Sequence, residues 1–283
     1  MKSIRSYAKI NISLNVVGNR EDGYHLLDTI MVPIELHDSI IISNYGKTIA
    51  DNFVTVDDFS NGLIHYNLVS HAINKLTKKF SREDHFRVFI HKVIPMQAGL
   101  GGGSSNAAFT MKAVNNMLKL NASDEDLIEI GAPLGADIPF FVNCKPARCR
   151  GIGEEIEPIE IKNNYSVLIV KPDLGCSTKE VFAKFDVMGG KAADIDEVVK
   201  ALKEGDDKTL AEHMGNMLEK AAVSIVPEIK EIEQYLRNSG VKLVMMSGSG
   251  STVFALSTDK KLLKTIMKNI GERWFCALTR IIK

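Results

Sequence analysis

Residues 94 to 108, IPMQAGLGGGSSNAA, constrain this chain more than any other stretch. Gly99, Gly101, Gly102 and Gly103 lie between two segments that each predict regular structure. His85 to Val93 is β-branched and aromatic and reads as a strand, while Asn106 to Leu118, rich in Ala and Met, reads as a helix. Glycines clamped in that way are expected to form a shaped loop rather than a flexible linker. Without Cβ atoms, successive N–H groups can turn toward one ligand, and the following helix adds its unsatisfied donors and the positive end of its dipole. The expected cargo is phosphate. A P-loop is excluded because Gly103 is followed by Ser104 and Ser105 with no lysine, and a dinucleotide fingerprint because Ser104 takes the third glycine's place.

A chain of 283 residues, 45% hydrophobic, can build a sizeable core, and two domains are expected. Its 35 basic and 35 acidic residues cancel, which argues against nucleic acid or an anionic membrane surface as partner and for a small-molecule ligand. The opening MKSIRSYAKINIS lacks the apolar core of a signal peptide, and no run approaches the roughly 20 apolar residues of a membrane span, so a cytoplasmic location is expected. Cys144, Cys149, Cys176 and Cys276 form no C-x-x-C pair and read as reduced thiols.

From Ile4 to Val17 apolar and polar residues alternate, predicting a half-buried strand whose polar face carries Lys9 and Asn11. That lysine either lines a cleft or is a solvated edge charge. Arg20 to Gly23 reads as a turn that delivers Tyr24 and His25 together, either to hold a planar base or to pack a hairpin corner. Ile30 to Ser43 is expected as strand and Leu63 to Phe80 as helix. Ser123, three residues before Asp126, predicts a capping box. In GAPLGADIPFFV, Asp137 stands among apolar neighbours, where burial would be costly without a cationic partner or a catalytic role, although a helix cap is a second reading.

The pattern changes near residues 155 to 162, and the boundary is drawn after residue 158. Beyond it come a strand (Tyr165 to Lys171), helices (Asp194 to Leu202, Lys208 to Val223, Pro227 to Arg237), two strands (Lys242 to Met246, Thr252 to Ser257), a helix (Lys260 to Ile270) and a strand (Trp274 to Ile281). With its first crossover expanded, this is the ferredoxin-like order β-α-β-β-α-β. SGSGS, Ser247 to Ser251, is a second glycine loop or a plain hairpin turn.

A phosphate cradle, a lysine on a strand, an isolated aspartate and an aromatic pair suit phosphoryl transfer, which needs positioning and charge neutralisation more than covalent chemistry. Asp137 would accept or orient an alcohol's proton and Lys9 would stabilise charge on the moving phosphoryl group. Ser104 or Ser105 would reach Mg²⁺. Pro95, Gly99, Leu100, Gly101, Ser104 and Ser105 match P-x-x-x-G-L-G-S-S-A-A, so the loop resembles that of the galactokinase, homoserine kinase, mevalonate kinase and phosphomevalonate kinase superfamily. AKINISL (Ala8 to Leu14), DGYH (Asp22 to His25), GADIPF (Gly135 to Phe140) and SGSGS extend the resemblance to one branch, the 4-diphosphocytidyl-2-C-methyl-D-erythritol kinases. That resemblance implies an α+β fold, with an N-terminal ribosomal-protein-S5-like α/β domain that binds ATP (1–158), a C-terminal ferredoxin-like domain on the substrate side (159–283) and a cleft between them. It implies Lys9 and Asp137 as the catalytic pair and Asn11, Tyr24, His25, Thr178 and Phe182 as substrate-binding residues. Asn67, Lys92, Pro95, Gly99, Leu100, Gly101, Gly102, Gly103, Ser104 and Ser105 are implied at the ATP. The implied reaction is phosphorylation of the substrate's 2-hydroxyl in the non-mevalonate isoprenoid pathway, with Mg²⁺ and with either a monomer or a homodimer. Another small-alcohol kinase of the superfamily, or a regulator that has lost the chemistry, are the rival readings.

Overall fold

The predicted alternation at the N-terminus forms β1, Lys2–Asn19, but with a difference that matters for function. Lys9, Asn11, Ser13 and Asn15 are 4%, 2%, 0% and 8% exposed, so this half of the strand is buried on both faces rather than half-buried. The reading of Lys9 as a solvated edge charge is thereby corrected. The computed structural model describes residues 1–21, 23–48, 51–57 and 67–283. These residues fall into two compact units.

The first unit comprises Met1–Ala8, His37–Pro95 and Gly101–Cys144. Within it, β3 (Phe53–Asp57) runs parallel to β4 (His85–His91), and β4 pairs antiparallel with the end of β2 (His25–Gly46), Ile40 facing Ile90. Phe86, Val88 and Ile90 point inward while Arg87 and His91 stay exposed, the period-two pattern of a one-sided sheet. Helix α1 (Leu68–Lys79) buries Val69, Ala72, Ile73 and Leu76 and packs on α2 (Gly102–Leu118), which buries Ala107, Ala108 and Met111. The predicted helix over residues 63–80 begins at Leu68, and its residues 63–66 lie outside the described residues. α2 in turn starts four residues before the predicted Asn106, so Gly102, Gly103, Ser104 and Ser105 form its first turn. α3 (Asp124–Gly131) carries the predicted capping box between Ser123 and Asp126, and α4 is Ile138–Asn143.

The second unit comprises Lys9–Leu36, Met96–Leu100 and Lys145–Lys283. Here the first part of β2 pairs antiparallel with β5 (Ala147–Gly151), which pairs with β6 (Glu155–Pro158). A separate antiparallel sheet has the order β10-β7-β9-β8, built from β7 (Ser166–Lys171), β8 (Leu243–Met246), β9 (Val253–Ser257) and β10 (Phe275–Arg280). That order is the ferredoxin-like one predicted. Five helices fill its first crossover: α5 (Thr178–Met188), α6 (Ile195–Glu204), α7 (Asp207–His213), α8 (Glu219–Ile225) and α9 (Glu228–Asn238). α10 (Lys260–Ile270) fills the second. Ile229, Ile232, Leu236, Leu263 and Ile266 from these helices share a core with Leu168, Val170, Val244 and Val253 of the sheet.

Two helix expectations change. The predicted helix from Lys208 to Val223 is broken in two because residues 214–218 leave the helix to pair with β1, Leu14 N donating to Gly215 O at 2.9 Å and Met217 N to Leu14 O at 2.9 Å. α5 has no counterpart among the predicted helices, since only Val181 and Phe185 of its eleven residues are buried and its apolar stripe is too thin to stand out. The four cysteines are free thiols, and burial pushes those of Cys144, Cys176 and Cys276 up to about 11. Among the described residues, no helix is long and apolar enough to cross a membrane.

Candidate active site

In the first unit the glycine stretch turns sharply into α2. Gly101 takes the N-cap position with φ 69°, a left-handed conformation that side chains rarely adopt. A Cβ there would meet the Phe141 ring at 2.8 Å and Asp137 Oδ2 at 3.2 Å, so only glycine lets the backbone lie this close to that carboxylate. No side chain caps α2, which leaves its first N–H groups as donors for an anion. A Cβ at Gly102 would stand 3.2 Å from Lys92 Nζ, whereas one at Gly103 would meet nothing within 4 Å. Lys92 thus brings an ammonium to the same helix end.

Lys92 is held by a residue that the sequence reading passed over. Asp38, fully buried, pairs with Lys92 Nζ and accepts from Asn106 Nδ2 at 2.9 Å and from the backbone N–H groups of Val93 and Ile94 at 2.8 Å each. Asn106 also donates to Ser6 Oγ at 2.6 Å. A carboxylate is acceptor-only, so this arrangement satisfies the buried charge with one cation and three N–H donors. The network ties β2, the entry to the glycine stretch and α2 together. Asp38 shares the strand face of Leu36 and Ile40 in IELHDSII, a carboxylate in line with apolar residues, and that was the available signal.

The two serines separate. Ser105 is fully buried and donates to Tyr7 O at 2.6 Å, which occupies its hydroxyl with packing the helix, whereas Ser104 is half-buried, with its Oγ beside Gly135. Asp137 is half-buried, not buried as its apolar neighbours suggested. It stands at the N-cap of α4 but its side chain caps nothing, which removes the helix-cap reading. Asn67 is the N-cap of α1, its Oδ1 accepting from Val69 N at 2.8 Å.

In the second unit Lys9 Nζ donates to Asn11 Oδ1 at 2.5 Å. Asn11 is itself fixed, donating from Nδ2 to Thr29 Oγ1 at 2.9 Å and from its backbone to Ser247 Oγ at 3.2 Å. Ser247 donates on to Gly99 O at 2.9 Å, and a Cβ on Gly99 would collide with the Ser247 carbonyl. Leu100 is buried and its carbonyl accepts from Lys9 N at 3.0 Å. The second glycine loop is therefore more than a hairpin turn. Gly248 lets it approach Lys9 and Asn11, since a Cβ there would lie 3.3 Å from Lys9 Nζ and 3.2 Å from Asn11 Oδ1. Asn216, unnoticed in the sequence, holds that loop by donating to Met246 O at 3.0 Å and Gly248 O at 2.8 Å.

The rings gather in the same unit. His25 stacks on Phe182 with centroids 4.5 Å apart and 28° between planes, and meets the edge of Phe185 at 6.3 Å. Its Nε2 lies 2.7 Å from Asp186 Oδ1. Tyr24, next in sequence, is 60% exposed, with the Arg20 guanidinium 6.0 Å from its ring centroid. The Asp22 of DGYH lies outside the described residues. Thr178 and Ser249 join hydroxyls at 3.0 Å. An exposed Tyr24 next to a part-buried His25–Phe182 stack suits a planar base, and a lysine beside a glycine loop suits an anionic or hydroxylated ligand.

Known proteins agree with this geometry. The model of the GHMP kinases N terminal domain matches residues 67–145, and that of the GHMP kinases C terminal matches residues 198–275. The 4-diphosphocytidyl-2-C-methyl-D-erythritol kinase of Clostridium perfringens is 37% identical over 262 residues, covering 90% of this chain and 88% of its own. That of Clostridioides difficile is 38% identical over 262 residues, covering 91% and 87%. A crystal structure of 4-(cytidine 5'-diphospho)-2C-methyl-D-erythritol kinase superposes with a TM-score of 0.82 at 26% identity over all of both chains. Mevalonate kinase of L. major shares the fold, with a TM-score of 0.75 at 16% identity over 99% of this chain and 96% of that one. The chain belongs to the GHMP kinases, within the family of 4-diphosphocytidyl-2-C-methyl-D-erythritol kinases.

Proposed function

We propose that the protein transfers the γ-phosphoryl group of ATP to the 2-hydroxyl of 4-diphosphocytidyl-2-C-methyl-D-erythritol, as a cytoplasmic enzyme of the non-mevalonate isoprenoid pathway. The observation that carries the choice of acceptor is the His25–Phe182 stack with Tyr24 beside it in sequence, a provision for a planar base that a kinase of small aliphatic alcohols has no use for. The names of its relatives support the same choice.

The reading assigns ATP binding to residues 1–158 and the substrate side to 159–283, the first stretch also lending Lys9, Asn11, Tyr24 and His25 to the substrate. Pro95, Gly99, Leu100, Gly101, Gly102 and Gly103 shape the phosphate loop, with the open N–H groups of α2 and the Lys92 ammonium as donors. Asn67, at the start of α1, is assigned to the nucleotide. Asp137, half-buried and capping nothing, accepts or orients the proton of the attacking hydroxyl. Lys9, buried and held by Asn11, stabilises charge as the phosphoryl group moves. Thr178 and Asn11 steady the erythritol end, and Phe182 and Tyr24 take the faces of the cytosine. No covalent intermediate is needed.

Mg²⁺ fits this set of residues as an ion held mainly by the nucleotide. Among the described residues no group of three or more His, Cys, Asp or Glu could hold a metal ion, and Ser104 is the serine whose hydroxyl is available. Ser104 would be its protein ligand, and the bound ion would neutralise phosphate charge. The function is tested by incubating the protein with ATP, Mg²⁺ and the cytidyl substrate and following ³¹P signals. A new phosphomonoester is expected, and ADP release that does not depend on the substrate would overturn the reading.

A further inference from the structure

Asp186 has no role in the account so far, yet it completes the ring cluster. It lies four residues after Phe182 on α5, so the two share one face of that helix. Both reach His25, Phe182 by stacking at 4.5 Å and Asp186 through Oδ1, 2.7 Å from Nε2. The His25 side chain is 13% exposed and that of Asp186 50%. A carboxylate has no proton to give, so the proton of this hydrogen bond belongs to His25 Nε2. In a neutral imidazole the other nitrogen, Nδ1, then carries the lone pair and is an acceptor. The identity of the acceptor atom is therefore set by a residue that the ligand need not touch.

We propose that Asp186 is a positioning residue that selects the pyrimidine: by keeping the His25 proton on Nε2, it makes Nδ1 an acceptor suited to the exocyclic amine of cytosine and mismatched to the carbonyl of uracil. The proposal rests on the reading of His25 as a base-binding residue. Cytosine presents a donor where uracil presents an acceptor, and a hydrogen-bonding site left unpaired discriminates strongly. With asparagine at position 186 the constraint is lost, because an amide can accept from Nε2–H or donate to an unprotonated Nε2, and the ring can take either tautomer.

The test compares the cytidyl substrate with its uridyl counterpart at about pH 8, above the ordinary imidazole range. Asp186→Asn should cut the cytidyl-over-uridyl preference in kcat/KM by about tenfold, the worth of one hydrogen bond, through KM with kcat unchanged. Asp186→Glu should restore most of it. ¹⁵N NMR of labelled protein without substrate should show His25 as the Nε2–H tautomer, and a mixture in Asp186→Asn. An Nδ1–H tautomer in the parent protein, or an unaltered preference in Asp186→Asn, overturns the inference. His25→Ala separates the two levels. If it raises KM for the cytidyl substrate while Asp186→Asn does nothing, only the inference fails; if it leaves KM unchanged, the base-binding reading fails with it.

Discussion

The Asp38 network of the first unit and the ring cluster of the second are built in opposite ways. Asp38 is fully buried and has a cation and three N–H donors arranged round its carboxylate. The Lys92 ammonium beside Gly102 is thereby held in place by the protein itself, which is what electrostatic stabilisation of a polyanion requires. The rings have little of this support. Tyr24 is mostly exposed, Asp186 half-exposed, and His25 is held by a stack on Phe182, an edge contact with Phe185 and one hydrogen bond. If the rings take a base, as proposed, that base brings its own π-face, and flat surfaces with one polar partner suffice to gain energy from stacking on arrival. On the proposed reading, the part that would hold the phosphoryl donor is heavily braced and the part that would choose the acceptor is lightly held.

The contrast can be broken at four points, in falling order of effect. Asp137→Asn should lower kcat roughly 100- to 10,000-fold, the range of a lost acid–base group, with circular dichroism unchanged; near-parental turnover would remove Asp137 from the chemistry. Asp38→Ala leaves the Lys92 charge stranded in a site where its side chain is 10% exposed, and should cost about 3–5 kcal/mol in urea unfolding. A loss below about 1 kcal/mol would show that the network is not the rigid element described. Phe182→Ala should raise KM for the cytidyl substrate roughly 5- to 100-fold and leave KM for ATP alone, because one stacking face is worth about 1–3 kcal/mol. An equal rise in both would place the ring elsewhere in the cycle.

The smallest effect lies away from both regions. Burial and the neighbouring Glu233 push the Glu219 carboxyl up from 4.5 to about 7, with Lys230 and Arg237 opposing. Because the folded value lies above the unfolded one, its contribution is fully present below about pH 4.5 and is lost as pH rises through about 7. Unfolding free energy should therefore fall by about 1 kcal/mol between pH 6 and pH 8, and Glu219→Gln should flatten that slope. An unchanged slope in the variant would assign it to other groups.

How much was legible follows from the range of the interactions. The glycine stretch, the capping box at Ser123 and the ferredoxin-like order are local patterns of spacing, and each appears where the residues predict it. α2 begins before the expected Asn106 because Gly102 and Gly103 argue against helix on propensity, whereas Ser105 in the same turn is anchored on Tyr7 O, a partner remote in sequence. The helix over residues 208–223 was misjudged because Leu14, far away in sequence, claims the backbone of Gly215 and Met217. Asp38, Asn216 and Asp186 passed unnoticed for the same reason, since each acts on partners that no spacing rule connects to it.

By itself, the sequence determined the class of chemistry. Four glycines without a P-loop lysine, a lysine in AKINISL and an aspartate in GADIPF need no third dimension to suggest a phosphate loop and two charged groups, because backbone freedom and side-chain type are properties of the residue. Tertiary structure decided which groups are held and by what. Burial on both faces turned Lys9 from a surface charge into a fixed one, Tyr7 took Ser105 out of the running, and Asp186 was brought against His25. Desolvation and hydrogen-bond geometry arise only where distant segments meet, and no chain written in one line contains them.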